Sequence, residues 1–367
     1  MKKHLVILAA MVLLFAACSP REEPPEETTD STLPPVLVVT PTPPPTPTPE
    51  TPIPTQPPYE GPVNPLSGQP IDEKSVNNRP IAVVINNRKI SLPQLGIAAA
   101  DIIFEVPVEG AYTRMLAIFQ DITDAGNIGS VRSARPCFVD IAQSFDAVFI
   151  HAGGSPAAYT QMKSQSTSRF DGVNGPGTNM YFRDSQRQRT MGYEHSMLTS
   201  SEKIGEYIGT LGYRLDHEVE YLPPFEFEAE LEITGAKATA VTVKFNSSKS
   251  TSFEYNADDG LYYASQQGGK YVDGNVNTQL SFANLIIVKT TIKVVDSDGR
   301  LNIDLTSGGS GFLAVGGVYM PITWEKNDGI EPFIFRNEKG DKITLRTGKT
   351  YVAVMSTSAN VEFSEVQ

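Results

Sequence analysis

Cysteine is almost missing from this chain: there are 2 in 367 residues. One of them, Cys18, directly follows the leader at the expected cleavage site, so Cys137 is left without a partner. That excludes a fold stapled by an internal disulfide. Cys137 follows Pro136 at an expected helix start, where either a stabilised thiolate or a small buried apolar side chain would fit. Histidine is also scarce, at 4. Beyond His4, the residues His151, His195 and His217 are far apart and form no zinc-ligand spacing, so neither a metal nor a cofactor is expected. A basic tract is lacking too. Lys and Arg total 30 against 42 Asp and Glu, for a net charge of -12, which argues against a nucleic-acid partner. The apolar run of the leader, Leu5–Phe15, is too short for a membrane span.

What is present at the front is an address. Lys2 and Lys3, the apolar run and then Ala16 and Ala17 make a signal peptide over 1–17. Phe15-Ala16-Ala17-Cys18 resembles the bacterial lipobox, which implies that Cys18 becomes the lipidated first residue of the mature chain. Several acyl chains on one cysteine give stable anchoring, by the two-signal argument. The expected location is therefore the outer face of the cell membrane. Residues 18–61 are rich in Pro, Thr and Glu, cannot bury a core, and read as a disordered linker. At ~3 Å per residue they would place a folded unit on the order of 100 Å from the lipid.

The remainder reads as α+β. An N-terminal α/β domain with a mixed sheet is expected over 62–222. IAVVIN, Ile102–Val106, Thr113–Gln120 and Ala147–Ile150 are strand-like, with helices after Pro136 and from Ser155. A β-rich C-terminal domain is expected over 223–367, starting after Pro223-Pro224. There VTVKF, SFEYN and LYYAS are strand-like, with an Asp-Gly hairpin turn. SGGSG at 307–311 lacks the Gly-Lys-Ser/Thr end of a phosphate loop and reads as a loop between strands.

The candidate site centres on IGSVRSARP and FDAVFIHAGGSP. Arg132 and Arg135 would share a face on a helix, or fork around an anion in a loop. With Arg114, and with Arg183 or Arg187, they could line an anion-binding cleft. Glu105, Glu109 and Asp184 are the nearby acids, and His151 and His195 are the available titratable groups. The alternative is that these arginines pair with Asp101, Glu105, Glu109, Asp140 and Asp184 to brace loops. Ser155, between two glycines and Pro156, partly resembles a nucleophile elbow but reads as a helix N-cap.

NPLSGQ, RPIAVVINN, ADIIFEVPVEGAYTRMLAIF, IGSVRSARP, FDAVFIHAGGSPAAY, the YFRD loop and HSMLTS together resemble the YerB-like lipoprotein family. That family carries paired N- and C-terminal domains of unknown function, mostly in Gram-positive bacteria. The resemblance implies an envelope lipoprotein and supplies no reaction. The preferred expectation is a non-enzymatic protein that binds an anionic cell-wall component or an envelope protein through the Arg/His cleft. The alternative is an enzyme of cell-wall precursors or glycopolymers, a LytR-like phosphotransferase or hydrolase, with Asp101 or Glu105 holding a divalent metal.

Overall fold

The computed structural model describes residues 59–218 and 221–365. The signal peptide, Cys18 and most of the expected linker lie outside the described residues. None of the described helices is long and apolar enough to cross a membrane.

The strand Ile81–Asn86 is buried at every position. A continuous apolar run needs cover on both faces. Alternate side chains point opposite ways, so Ile81, Val83 and Ile85 enter one core. Ala82 and Val84 enter the other. The same holds for the next two strands, Ile102–Pro107 and Thr113–Phe119. Ile103, Met115, Ala117 and Phe119 join the first core, and Ile102, Phe104, Leu116 and Ile118 the second. Each such buried aliphatic side chain stabilises the fold by about 1.5–3 kcal/mol.

These strands belong to an 11-stranded sheet. Its order is Arg169–Asp171, Val148–His151, Ile81–Asn86, Thr113–Phe119, Ile102–Pro107, Thr350–Ser356, Asn284–Thr290, Gly309–Val315 and Val318–Glu325. Ala236–Lys237 and Ile334–Arg336 both pair with that last strand. The strands on either side of Pro223 therefore join in one sheet. The seam is the parallel pairing of Ile102–Glu105 with Thr350–Ala353. Helices Pro136–Ser144 and Pro156–Ser164 contribute Phe138, Ile141 and Met162 to the second core. A six-stranded sheet built from Ala240–Asn246, Lys249–Asn256, Leu261–Gln266 and their neighbours packs Val241, Phe253 and Tyr262 into the first. The architecture is α+β, as expected.

Several local readings hold. Pro136 opens its helix, and Cys137 is buried inside it. Burial pushes that thiol up to about 12, so it is a packed apolar group and not a thiolate. Ser155 caps the next helix, accepting from the Ala158 amide at 3.2 Å. Gly260 closes the Asp-Gly turn between Lys249–Asn256 and Leu261–Gln266 with φ of 72°. The loop reading of SGGSG is corrected: only Ser307 and Gly308 precede the strand, while Gly309, Ser310 and Gly311 lie within Gly309–Val315. A Cβ on Gly311 would meet the Ile287 carbonyl oxygen at 2.0 Å, so glycine there serves strand contact.

Candidate functional site: an arginine cleft at the strand ends

Ile81–Asn86, Ile102–Pro107 and Val148–His151 run parallel to one another, with Thr113–Phe119 antiparallel between the first two. Their carboxyl ends therefore meet at one edge, together with the start of Thr113–Phe119. Open α/β sheets bind ligands in that position.

The segment 131–134 fills the gap between two of these ends. Arg132 N donates to Val84 O at 2.8 Å, Ala152 N to Arg132 O at 3.0 Å, and Ala134 N to Gly153 O at 2.9 Å. Arg132 is thus in extended backbone, while Arg135 is the residue before the first helical turn. They do not share a helix face, and they do not fork around one anion either, because the two side chains reach different acids. Arg135 Nε donates to Glu109 Oε2 at 2.9 Å, and its Nη2 also bonds Glu109 Oε1. Arg114 Nη2 joins that same oxygen at 3.0 Å, and its Nη1 donates to Ser133 O at 2.6 Å. Arg132 instead donates to Glu194 O at 2.5 Å and to Glu194 Oε2 at 3.1 Å. Arg88, not anticipated from sequence, donates to Glu194 Oε1 at 3.1 Å and lies over the Tyr112 ring at 4.5 Å.

Four guanidiniums therefore share two carboxylates. Three of them, Arg88, Arg114 and Arg132, line a cleft of about 250 Å³ together with Asn86, Glu109 and Tyr112. Asp298 also lines it and pairs with Arg300 at 2.8 Å. Burial alone would raise the Glu109 carboxyl. The hydrogen bonds from Arg135 and the charges of Arg114 and Arg135 outweigh it and hold the group at about 2. Burial and the neighbouring Arg135 charge bring Arg114 down to about 9, which leaves it charged at neutral pH.

His195 belongs to this cluster, and its tautomer can be assigned. Asn86 Oδ1 accepts from Arg88 N at 3.1 Å, so Nδ2 of the same amide faces His195 Nδ1, at 2.7 Å. Nδ1 must accept, and Nε2–H then donates to Glu194 Oε1 at 3.1 Å. Burial first, then the charges of Arg132 and Arg88, keep the ring below its ordinary pKa despite Glu194.

The other expected site residues fall elsewhere. Glu105 does not face the cleft: it is fully buried beneath it. Lys249 Nζ lies 3.0 Å from Glu105 Oε1. Asn87, Thr113, Thr251 and Tyr351 all donate to its two oxygens. Asp101 precedes the same strand and accepts from Asn64 Nδ2 and Gln120 N. Four residues of strand separate the two acids by about 13 Å, too far for one metal ion. His151 is also fully buried, with Nδ1–H donating to Gly153 O at 2.8 Å. It stacks on Phe149, away from the cleft lining. Asp184 caps the helix Ser185–Met191 by accepting from Arg187 N at 2.6 Å. Arg183 covers the Tyr193 ring at 3.4 Å and donates to Tyr193 O and Ser196 Oγ, which braces the turn that carries Glu194.

Arg88, Tyr112 and Glu194 escape sequence reasoning. Arg88 follows an Asn-Asn pair that reads as a turn, and Glu194 stands beside His195 with nothing to mark it. Only the convergence of the strand ends selects them.

Fold and cleft together describe an α+β protein in which two successive chain segments complete one sheet around an arginine-lined edge. Two family models match these segments: Protein of unknown function (DUF3048) N-terminal domain over residues 66–214 and DUF3048 C-terminal domain over 241–352. The chain belongs to the DUF3048 family. It is 32% identical over 288 residues to "Putative lipoprotein YerB" of Bacillus subtilis (strain 168), spanning 77% of this chain and 83% of that protein. The crystal structure of the YerB protein from Bacillus subtilis superposes with a TM-score of 0.72 at 30% identity, covering 82% of this chain and 99% of that one.

Proposed function

We propose that this is a membrane-anchored extracytoplasmic lipoprotein that binds an anionic cell-envelope ligand in the Arg88–Arg114–Arg132 cleft, beside which Arg135 pairs with Glu109. The observation that carries the binding reading is the shared acids: four guanidiniums lean on two carboxylates beside an open cavity. With two carboxylates for four guanidiniums, the cluster keeps an excess of positive charge. Arginine suits carboxylate or phosphate because its planar fork donates two parallel hydrogen bonds.

The anchor reading rests on the lipobox-like Phe15-Ala16-Ala17-Cys18 and on the similarity to a protein named as a lipoprotein. Labelled palmitate should be incorporated into the full chain when it is expressed in a Gram-positive host, and Cys18→Ala should remove the label and release the protein. Retention of the label in Cys18→Ala would refute the anchor. The binding arm is tested by sedimenting the acylated full chain with purified cell wall. Binding should weaken steeply as salt rises, and Arg132→Ala or Arg88→Ala should each reduce it several-fold. Equal sedimentation of wild type and both variants would remove the site.

A further inference from the structure

Resting on that reading, we infer that Glu194 is a built-in stand-in for the ligand, and that the group it stands for is a phosphate-type dianion. Of the two acids that the four arginines share, Glu194 is the more exposed: its side chain retains 54% exposure, against 25% for Glu109. Its carboxylate bridges two of the guanidiniums that line the cleft, with Oε1 on Arg88 at 3.1 Å and Oε2 on Arg132 at 3.1 Å. His195 Nε2 reaches Oε1 at 3.1 Å. A carboxylate gripped by two guanidiniums and an imidazole N–H is the way a protein holds a bound oxyanion.

The surroundings are arranged so that this side chain can leave without disturbing its holders. Arg132 keeps its bond to the Glu194 backbone carbonyl at 2.5 Å. Arg88 keeps its ring contact with Tyr112. His195 is buried and fixed by Asn86, and its backbone carbonyl accepts from Ser130 Oγ. The turn Tyr193–His195 follows Gly192, whose φ of 96° suits glycine. Rotation of one exposed side chain therefore exposes two guanidiniums and a donor N–H, with no backbone movement. Arg114 and Arg135 stay paired with Glu109, which leaves one of their two charges uncompensated.

Charge then selects the ligand class. With Glu194 turned out, Arg88 and Arg132 present two positive charges with no carboxylate between them. A phosphate monoester or diphosphate end carries about two negative charges and three acceptor oxygens at neutral pH. A carboxylate carries one charge and only replaces what Glu194 already supplies. The cleft should therefore prefer phosphate to carboxylate.

The test uses the full chain in detergent micelles at fixed ionic strength, titrated by calorimetry with inorganic phosphate, methyl phosphate and acetate. Phosphate and methyl phosphate should bind more tightly than acetate. Glu194→Gln should tighten phosphate by roughly tenfold, because a competing internal charge is removed. Arg132→Ala should abolish binding, and Arg88→Ala, a more exposed change, should weaken it even if Arg132→Ala fails to fold. Weaker or unchanged phosphate binding in Glu194→Gln, with Arg88→Ala still impaired, would overturn the stand-in while leaving the cleft as a site. Acetate binding as tightly as phosphate would overturn the dianion preference. No binding of any anion by wild type or Glu194→Gln, alongside cell-wall sedimentation insensitive to Arg132, would take down the stand-in and the cleft together.

Discussion

At the scale of single residues, Glu109 is the electrostatic pivot. It accepts from Arg114 and Arg135 and sits at about 2, below the ordinary 4.5. A carboxyl depressed on folding contributes stability that is full above its unfolded value and is lost as pH falls through the folded one. That contribution should fade between about pH 4.5 and about 2. It amounts to ~1–3 kcal/mol after allowance for partial exposure. Urea denaturation of Glu109→Gln should show a deficit of that size at pH 7 which narrows as the pH is lowered towards 3. A deficit that is independent of pH would show that the arginines are not held by the charge. Ser155 gives a smaller case. Ser155→Ala should cost ~1 kcal/mol by loss of the cap and should leave anion binding intact.

At the scale of elements, the strands depend on places where backbones approach closely. Gly311→Ala puts a methyl 2.0 Å from Ile287 O, within the pairing of Gly309–Val315 with Asn284–Thr290. It should destabilise the chain by ~3 kcal/mol or more, read as a lowered denaturation midpoint. A near-neutral Gly311→Ala would mean the two strands are less tightly paired than described. The elements were also what the sequence showed best. IAVVIN, Ile102–Val106 and the helix after Pro136 were visible as an apolar run, a strand bounded by acids, and a proline-led helix. LIIVKTTIKVVD has the apolar content of one long strand, yet it divides into Asn284–Thr290 and Ile292–Val294, which lie in different sheets. Apolar periodicity carries no mark of where a chain turns from one sheet to another.

At the scale of the whole molecule, the two family segments are bound by shared structure. Thr350–Ser356 lies between Ile102–Pro107 and Asn284–Thr290, more than two hundred residues away from the first of these. No local pattern announces such pairing, because any buried strand offers the same apolar faces. The expected division at Pro223 was drawn from composition, which changes there, while the sheet does not stop there. Beneath the seam, Glu105 and Lys249 form a buried ion pair between the main sheet and the six-stranded one. Removing one partner strands the other charge, so Lys249→Met should cost ~3–5 kcal/mol. The double variant Glu105→Gln, Lys249→Met should recover much of that. A single calorimetric unfolding transition is expected for residues on both sides of Pro223, and two well-separated transitions would contradict the shared sheet. The cleft was legible in part for the same reason. Arg114, Arg132, Arg135, Glu109 and His195 could be nominated by type, but Arg88 and Glu194 are brought to them only by the way strand ends converge.

The most direct measurement is a salt series of calorimetric titrations of the acylated full chain with methyl phosphate, in wild type and in Arg88→Ala. Saturable binding that weakens as ionic strength rises, and that loses several-fold in affinity in Arg88→Ala with the melting temperature retained, is the predicted result. Identical isotherms for the two proteins at every salt concentration would contradict it.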